Sequence, residues 1–301
     1  MVPLPSPQQL RYLITLAETR HFGRAAEACA VTQSTLSAGI IALERQLDAA
    51  ILDRTAGKRV VFTPLGHDLL ERARAAMAAL QAVAETAEAA RAPMSGRLRL
   101  GVIPTLGPFL LPRLMPALRT AFPRLEPWLR EDQTARLLEQ LAGGRLDLLI
   151  LALPCECAGN ETLPVARDEF LVALPPGHPL AAQERISPRA LAGERVLLLE
   201  DGHCLRDQVL QVCGPRPGGG GPEEFSATSL HTLVQMVAGG LGLTLLPRIA
   251  VRAGIVEQTG ILLRPLAGKG GWRTIGLTWR PQAPRAADYR RLAPLLAEAA
   301  G

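Results

Sequence analysis

Two cysteines, Cys204 and Cys213, share a stretch whose pattern constrains what their sulfurs can do: LEDGHCLRDQVLQVCGPRPGGGGPEEF, Leu199 to Phe225. Between them Leu205, Val209 and Val212 recur at i, i+4 and i+7, the apolar spacing of one helix face. Gly214-Pro215 and a run of four glycines follow, which a helix does not cross cheaply. Nine helical steps of about 1.5 Å hold the two Cα atoms roughly 13 Å apart, whereas a disulfide needs them within about 7 Å. If these sulfurs ever bond, the helix between them must come apart, with the glycine-rich loop supplying slack. A pair too distant when folded, yet tethered closely enough to meet after local unfolding, has the makings of a redox switch.

The remaining composition frames that pair. With 301 residues and 48% hydrophobic content, the chain can bury a large core in two or three domains. No apolar run approaches the roughly 18 residues of a membrane span, and no basic-then-apolar signal segment opens the chain, so a cytoplasmic location is expected. Five cysteines (Cys29, Cys155, Cys157, Cys204, Cys213) are an odd count, too few for a disulfide framework in a chain this long. In a reducing compartment all five should rest as thiols. Cys155-x-Cys157 lacks a second ligand pair at zinc-site spacing; both read as incidental thiols, and Cys29 as core. No metal and no cofactor are expected. A net charge of +5 permits a polyanionic partner without showing one.

The elements that would position a sensor start with a small helical domain over residues 1–63. Ser6-Pro7-Gln8-Gln9 has the form of a capping box with proline at the first helical position, and Leu10, Leu13, Ile14 and Ala17 line one face. A second helix runs from Phe22 to Cys29. Thr32 caps a third, with buried face Leu36, Ile40, Leu43 and Leu47 and exposed Gln33, Ser34, Thr35 and Ser37. This pattern suits a helix-turn-helix whose second helix reaches base edges and phosphates. Arg54, Lys58 and Arg59 fall in a segment, Asp53 to Phe62, that could form a two-stranded wing on the phosphate backbone. An ordinary helical bundle with a polar wet face has the same spacing. Charge does not decide, since residues 1–63 hold seven Lys or Arg against five Asp or Glu.

The segments FGRAAEACAVTQSTLSAGIIALERQL and LDRTAGKRVVFTPLG resemble the winged helix-turn-helix of LysR-type transcriptional regulators. The match runs through Ala25-Ala26, Val31-Thr32-Gln33-Ser34, Leu36-Ser37, Ile40, Leu43-Glu44 and Thr63-Pro64-Leu65-Gly66. Ile41 stands where such regulators carry Arg or Lys. Thr63 and Pro64 should open a long helix to Ala92, on which Leu69, Ala73, Ala76, Leu80, Val83 and Ala87 form a heptad seam suited to a partner helix. Packing on its own domain is the plainer use of such a seam. In the family this helix joins two subunits, which fits a palindromic DNA target.

After Pro93-Met94-Ser95-Gly96 the pattern changes to strands alternating with helices: strands at Leu98–Ile103, Leu146–Leu153, Glu169–Leu174, Arg195–Leu199, Leu243–Leu246 and Thr274–Trp279, and a helix at Leu106–Thr120. An α/β domain with mostly parallel strands is expected. The chain should leave a first lobe (97–167 and 269–301) near Arg167 for a second (168–268) and return near Lys269. LDLLILAL, LVALPPGHPLA and SLHTLVQMVAGGLGLTLLP resemble the two-lobed effector domain of LysR-type regulators, of periplasmic-binding-protein architecture. The expected fold is therefore α + α/β: a winged helix-turn-helix (1–63), a linker helix (64–96) and the effector domain (97–301).

Within that family, LLEDGHCLRDQ, the second cysteine nine positions on, IPTLGPFLLP and RTIGL resemble the peroxide-sensing OxyR branch. Peroxide reacts with a thiolate rather than a thiol, and oxidation climbs from sulfenic acid to disulfide. By this resemblance Cys204, at a helix start whose free N–H groups favour an anion, is the attacked sulfur, and Cys213 the resolving thiol. Thr105 holds peroxide, Arg273 lowers the thiol pKa, and His203, Asp207 and Thr134 complete the pocket. The resemblance implies double-stranded DNA, hydrogen peroxide and RNA polymerase as partners, a homodimer or homotetramer, and a regulator rather than an enzyme. Each residue also has an ordinary use: Thr105 as an N-cap, His203 as a cap, Arg273 in a surface ion pair, a lone cysteine as a small apolar residue. A regulator triggered by a small metabolite between the lobes, or a thiol-dependent peroxidase, remains as an alternative.

Overall fold

The computed structural model describes residues 3–53, 59–155, 157, 159–214, 226–268 and 271–301. They fall into two compact units, Met1–Ala90 with Ala142–Arg145, and Arg91–Leu141 with Leu146–Gly301.

The first unit is helical: α1 (Pro7–Thr19), α2 (Phe22–Ala28), α3 (Gln33–Leu47) and most of α4 (Pro64–Arg91). The α1 capping box is present, with Ser6 Oγ accepting from Gln9 N–H and the Gln9 side chain accepting from Ser6 N–H. Tyr12, Leu13, Leu16, Leu36, Ile40 and Leu43 make the core. Gly39 lets α3 approach α1, because a Cβ there would lie 2.6 Å from the Tyr12 ring. The Thr-Pro-Leu-Gly motif has a local cause. Thr63 Oγ1 donates to Ala50 O (2.7 Å) and accepts from Gly66 N–H (2.9 Å), while Gly66 passes so close to Ile51 O that a Cβ would collide. Buried Glu44 accepts from Ile51 and Leu52 N–H at 2.9 and 3.1 Å, tying the end of α3 to the segment that follows. Among the described residues, the segment expected to form the wing is joined by an antiparallel bridge from Leu52 to Phe62, and residues 54–58 of it lie outside them.

The second unit is built on one mixed sheet. Its strands are β1 (Gly96–Val102), β2 (Leu125–Glu131), β3 (Leu148–Leu153), β4 (Glu161–Leu174), β5 (Thr244–Pro247), β6 (Leu262–Pro265) and β7 (Trp272–Trp279). The order is β2-β1-β3-β7-β4-β5, with β6 also on β4. The helices are α5 (Gly107–Ala121), α6 (Thr134–Ala142), α7 (Pro188–Leu191), α8 (Cys204–Cys213), α9 (Leu230–Ala238), α10 (Arg248–Arg252) and α11 (Ala286–Ala300).

The expectation of mostly parallel strands is corrected. Of the pairings between these strands, β1–β2 and β1–β3 are parallel, whereas β3–β7, β4–β7, β4–β5 and β4–β6 are antiparallel. Fully buried strands have continuous apolar runs in either orientation, so composition does not report direction. Strand β4 is 14 residues long and pairs with β7 through Glu169, then with β5 from Phe170 and with β6 from Leu171. The expected departure from the first lobe near Arg167 falls within this one strand, and Lys269, the expected return, lies outside the described residues. Arg195–Leu199 makes only isolated bridges, Val196 to Leu243 and Leu199 to Ala227. Strands β2 and β6 were not anticipated: β2 exposes Trp128 and Leu129 and contains a proline, which weakens the alternation that marks a strand.

Candidate functional site

The turns at the carboxyl ends of β1 and β2, a usual place for ligands in α/β sheets, supply Thr105 and Thr134. The start of α8 supplies Cys204, and β7 supplies Arg273.

Arg273 is fixed first. It stands directly opposite Asp168 in the β4–β7 register, and both are buried. Its Nε donates to Asp168 Oδ2 at 3.0 Å, and its other nitrogens donate to Thr105 Oγ1 (2.9 Å) and Thr105 O (3.0 Å). Asp168 also accepts from Ile249 N–H at 3.0 Å. Arg273 is thus a buried bridge, not a surface ion pair. Thr105 is not an N-cap either, since that place belongs to Leu106.

Helix α8 begins at Cys204 and ends at Cys213, and both thiols are free. Its rise keeps their Cα atoms about 13 Å apart. Cys204 is half-buried. Burial is the largest influence on it and pushes the thiol above its ordinary range, against the Arg273 charge, a hydrogen bond from Thr134 and its own backbone N–H, while Asp207 adds to the rise. The expectation that Arg273 lowers this pKa holds for its own contribution, yet the net direction is upward. Desolvation of an anion outweighs one nearby cation already paired to a carboxylate. Cys213 is buried and its thiol is pushed up to about 11.

His203 is buried, and burial lowers its pKa against the opposing charge of Glu200. It holds the N-cap position of α8 but makes no side-chain cap bond. Asp207 is exposed on the first turn. The structure therefore joins Thr105 to Arg273, and Thr134 and Arg273 to Cys204, leaving Asp207 at the rim. Two contributors escaped the sequence reading. Asp168 neutralises Arg273 and is recognisable only from strand register. Gln133 donates to Asp201 O at 3.3 Å and lies against Gly202, where a Cβ would come within 2.7 Å of its Oε1.

Cys155 and Cys157, expected to be incidental thiols, are joined, with Cα atoms 5.2 Å apart. In the loop after β3 the two residues meet the Cα spacing that a disulfide requires. Among the described residues, no group of three or more His, Cys, Asp or Glu could hold a metal, and no single helix is long and apolar enough to cross a membrane.

In the first unit, Thr32 Oγ1 accepts from Thr35 N–H at 3.2 Å and is within bonding distance of the Ser34 and Thr35 hydroxyls. Gln33, Ser34 and Thr35 are exposed at the start of α3, as is Arg59. Ser37, expected to be exposed, is half-buried because it follows Leu36 toward the core. Arg54 and Lys58 lie outside the described residues.

Comparison with known proteins agrees with this architecture. Residues 7–67 match the bacterial regulatory helix-turn-helix protein, lysR family, and residues 91–301 match the LysR substrate binding domain. The chain belongs to the LysR family. It is 42% identical over 295 residues, 98% of this chain and 94% of the relative, to a probable hydrogen peroxide-inducible genes activator of Streptomyces viridosporus. It is 43% identical over 286 residues to the DNA-binding transcriptional dual regulator OxyR of Escherichia coli K12, covering 95% and 93% of the two chains. Among solved structures it resembles a cysteine-to-aspartate variant of full-length OxyR from Pseudomonas aeruginosa, with TM-score 0.81, 35% identity, and 98% and 95% of the chains covered. A cysteine-to-serine variant of Corynebacterium glutamicum OxyR with H2O2 bound matches with TM-score 0.68, 33% identity, and 99% and 94% coverage. Within the LysR family, its place is the OxyR branch.

Proposed function

We propose that this chain is a hydrogen-peroxide-sensing transcriptional regulator, switched by a reversible bond between Cys204 and Cys213. The observation that carries the reading is Cys204 on the first turn of α8, with the Thr134 hydroxyl and the Arg273 charge on its sulfur and Cys213 at the far end of the same helix. The peroxide-inducible relatives and the H2O2-bound neighbour support the choice of oxidant.

The Cys204 thiolate attacks one peroxide oxygen. The O–O bond breaks, hydroxide leaves and is protonated to water, and the sulfur becomes a sulfenic acid. Thr105 and Thr134 offer hydroxyls to the peroxide, and Arg273 stabilises the attacking thiolate. His203 and Asp207 shape the mouth of the pocket. Cys213 then displaces the sulfenic oxygen as a second water and closes the disulfide. That closure needs α8 to unfold, because the Cα separation must fall from about 13 Å to below about 7 Å. The repacked segment alters contacts between effector domains and hence the spacing of the DNA-binding heads.

Double-stranded DNA is read by Gln33, Ser34, Thr35 and Ser37 on α3, with Arg54, Lys58 and Arg59 on the phosphates. A homodimer or homotetramer forms through α4, the protein acts in the cytoplasm, and RNA polymerase is its downstream partner. The chain works stoichiometrically rather than by turnover. The test is one equivalent of peroxide on the full chain, peptide mapping of disulfides, and DNA footprints before and after. The reading predicts a Cys204–Cys213 bond and a changed footprint. Absence of the bond, with Cys204→Ser responding like the parent protein, rejects it.

A further inference from the structure

The Cys155–Cys157 pair has no part in the switch just described. It follows β3, with its Cα atoms 5.2 Å apart and its sulfurs joined, and both residues line a pocket of about 620 Å³. Trp272, Arg273 and Thr274 of β7 and Thr162 of β4 form other parts of the wall. That volume lies inside the range of about 300–1,000 Å³ typical of small-molecule sites and far exceeds what hydrogen peroxide fills. The two sulfurs are unequal: Cys155 is half-buried, whereas Cys157 is only 8% exposed. Arg273, the one residue shared with the Cys204 site, already donates to Asp168 and Thr105, so the pocket offers sulfur and the Trp272 ring rather than a free cation.

We propose that Cys155 and Cys157 form a second thiol–disulfide couple that exchanges with low-molecular-weight disulfides of the glutathione class, independently of Cys204. In the oxidising direction the Cys155 thiolate attacks one sulfur of the small disulfide. The S–S bond of that molecule breaks, one thiol leaves, and a mixed disulfide remains on Cys155. Cys157 then attacks the Cys155 sulfur, forming the Cys155–Cys157 bond and expelling the second thiol. Two electrons and two protons pass from the protein to the small disulfide, which ends as two thiols. The same thiol in excess reverses each step.

The test uses the full-length protein in buffers of graded reduced-to-oxidised glutathione ratio, followed by acid quench, alkylation and tryptic digestion. Peptide Leu146–Arg167 contains both cysteines and no other, so its unalkylated fraction reports the couple without needing any variant. That fraction should rise from near zero in excess reduced glutathione to near one in excess oxidised, with the same curve in Cys204→Ser. Full alkylation at every ratio, a bond that survives excess reduced glutathione, or loss of the transition in Cys204→Ser would each overturn the proposal. Cys157→Ser should retain one glutathione on Cys155, while Cys155→Ser should load at least about tenfold more slowly, because access limits exchange at the buried sulfur. Equal loading of the two variants contradicts the assigned order of attack.

Discussion

At the residue scale, the sensing sulfur is held between opposed influences. Burial pushes the Cys204 thiol up, while Arg273 and Thr134 favour the reactive anion. Thr134→Val removes a hydroxyl donor worth about 1 kcal/mol, so the pH profile of Cys204 oxidation should shift upward and the rate at pH 7 should fall about fivefold, read by stopped-flow with peroxide. Cys213 is pushed up to about 11 and at neutral pH carries about a hundredfold less thiolate than an unburied cysteine. Alkylation with iodoacetamide at pH 7.5 should be slower by that order in the folded reduced protein than in urea. The sign for stability follows from the same shift. The raised pKa favours the protonated native state, so its contribution is intact below the unfolded thiol's pKa and is lost as pH rises through about 11. Removing Arg273 would strand the Asp168 carboxylate in a buried position. Arg273→Ala should cost about 3–5 kcal/mol, read as a lowered urea midpoint, and adding Asp168→Asn to it should recover part of the loss.

At the scale of one element, α8 stores the separation that keeps the cysteines apart. Its stability opposes disulfide closure, so weakening it should make closure easier. Gln211 is exposed in the last turn of α8, and Gln211→Gly should destabilise the helix by roughly 0.5–1 kcal/mol. Peptide mapping at a fixed dithiothreitol ratio should then show the Cys204–Cys213 equilibrium shifted about two- to fivefold toward the bond, with the rate of the Cys204 reaction with peroxide unchanged. An unchanged equilibrium would mean that the helix is not what separates the states.

At the scale of the whole molecule, the linker helix is the exposed apolar feature that the proposed assembly uses. Leu69 and Ala73 pack on the first unit's core, but further along the seam Leu80 is 49% and Val83 71% exposed. A helix that leaves such residues in water has unburied apolar area to give to a partner helix. The double substitution Leu80→Glu, Val83→Glu should shift sedimentation toward monomer and weaken operator binding, with little change in the thermal transition of the effector domain. Unaltered sedimentation would remove α4 from the interface.

Local chemistry was legible without coordinates. The caps at Ser6 and Thr32, the turn at Thr63 to Gly66, the apolar face inside α8 and the two cysteines at its ends all depend on neighbours within a few residues. Period and capping report such neighbours directly. What depends on partners far along the chain was not legible. The antiparallel register that sets Asp168 against Arg273, the reach of Arg273 to Thr105, and the long β4 that changes partners along its length are choices of pairing, and an apolar strand has no marker for its partner. The balance on Cys204 belongs to the same kind, because sequence names the charges but only the tertiary structure decides how much water they keep.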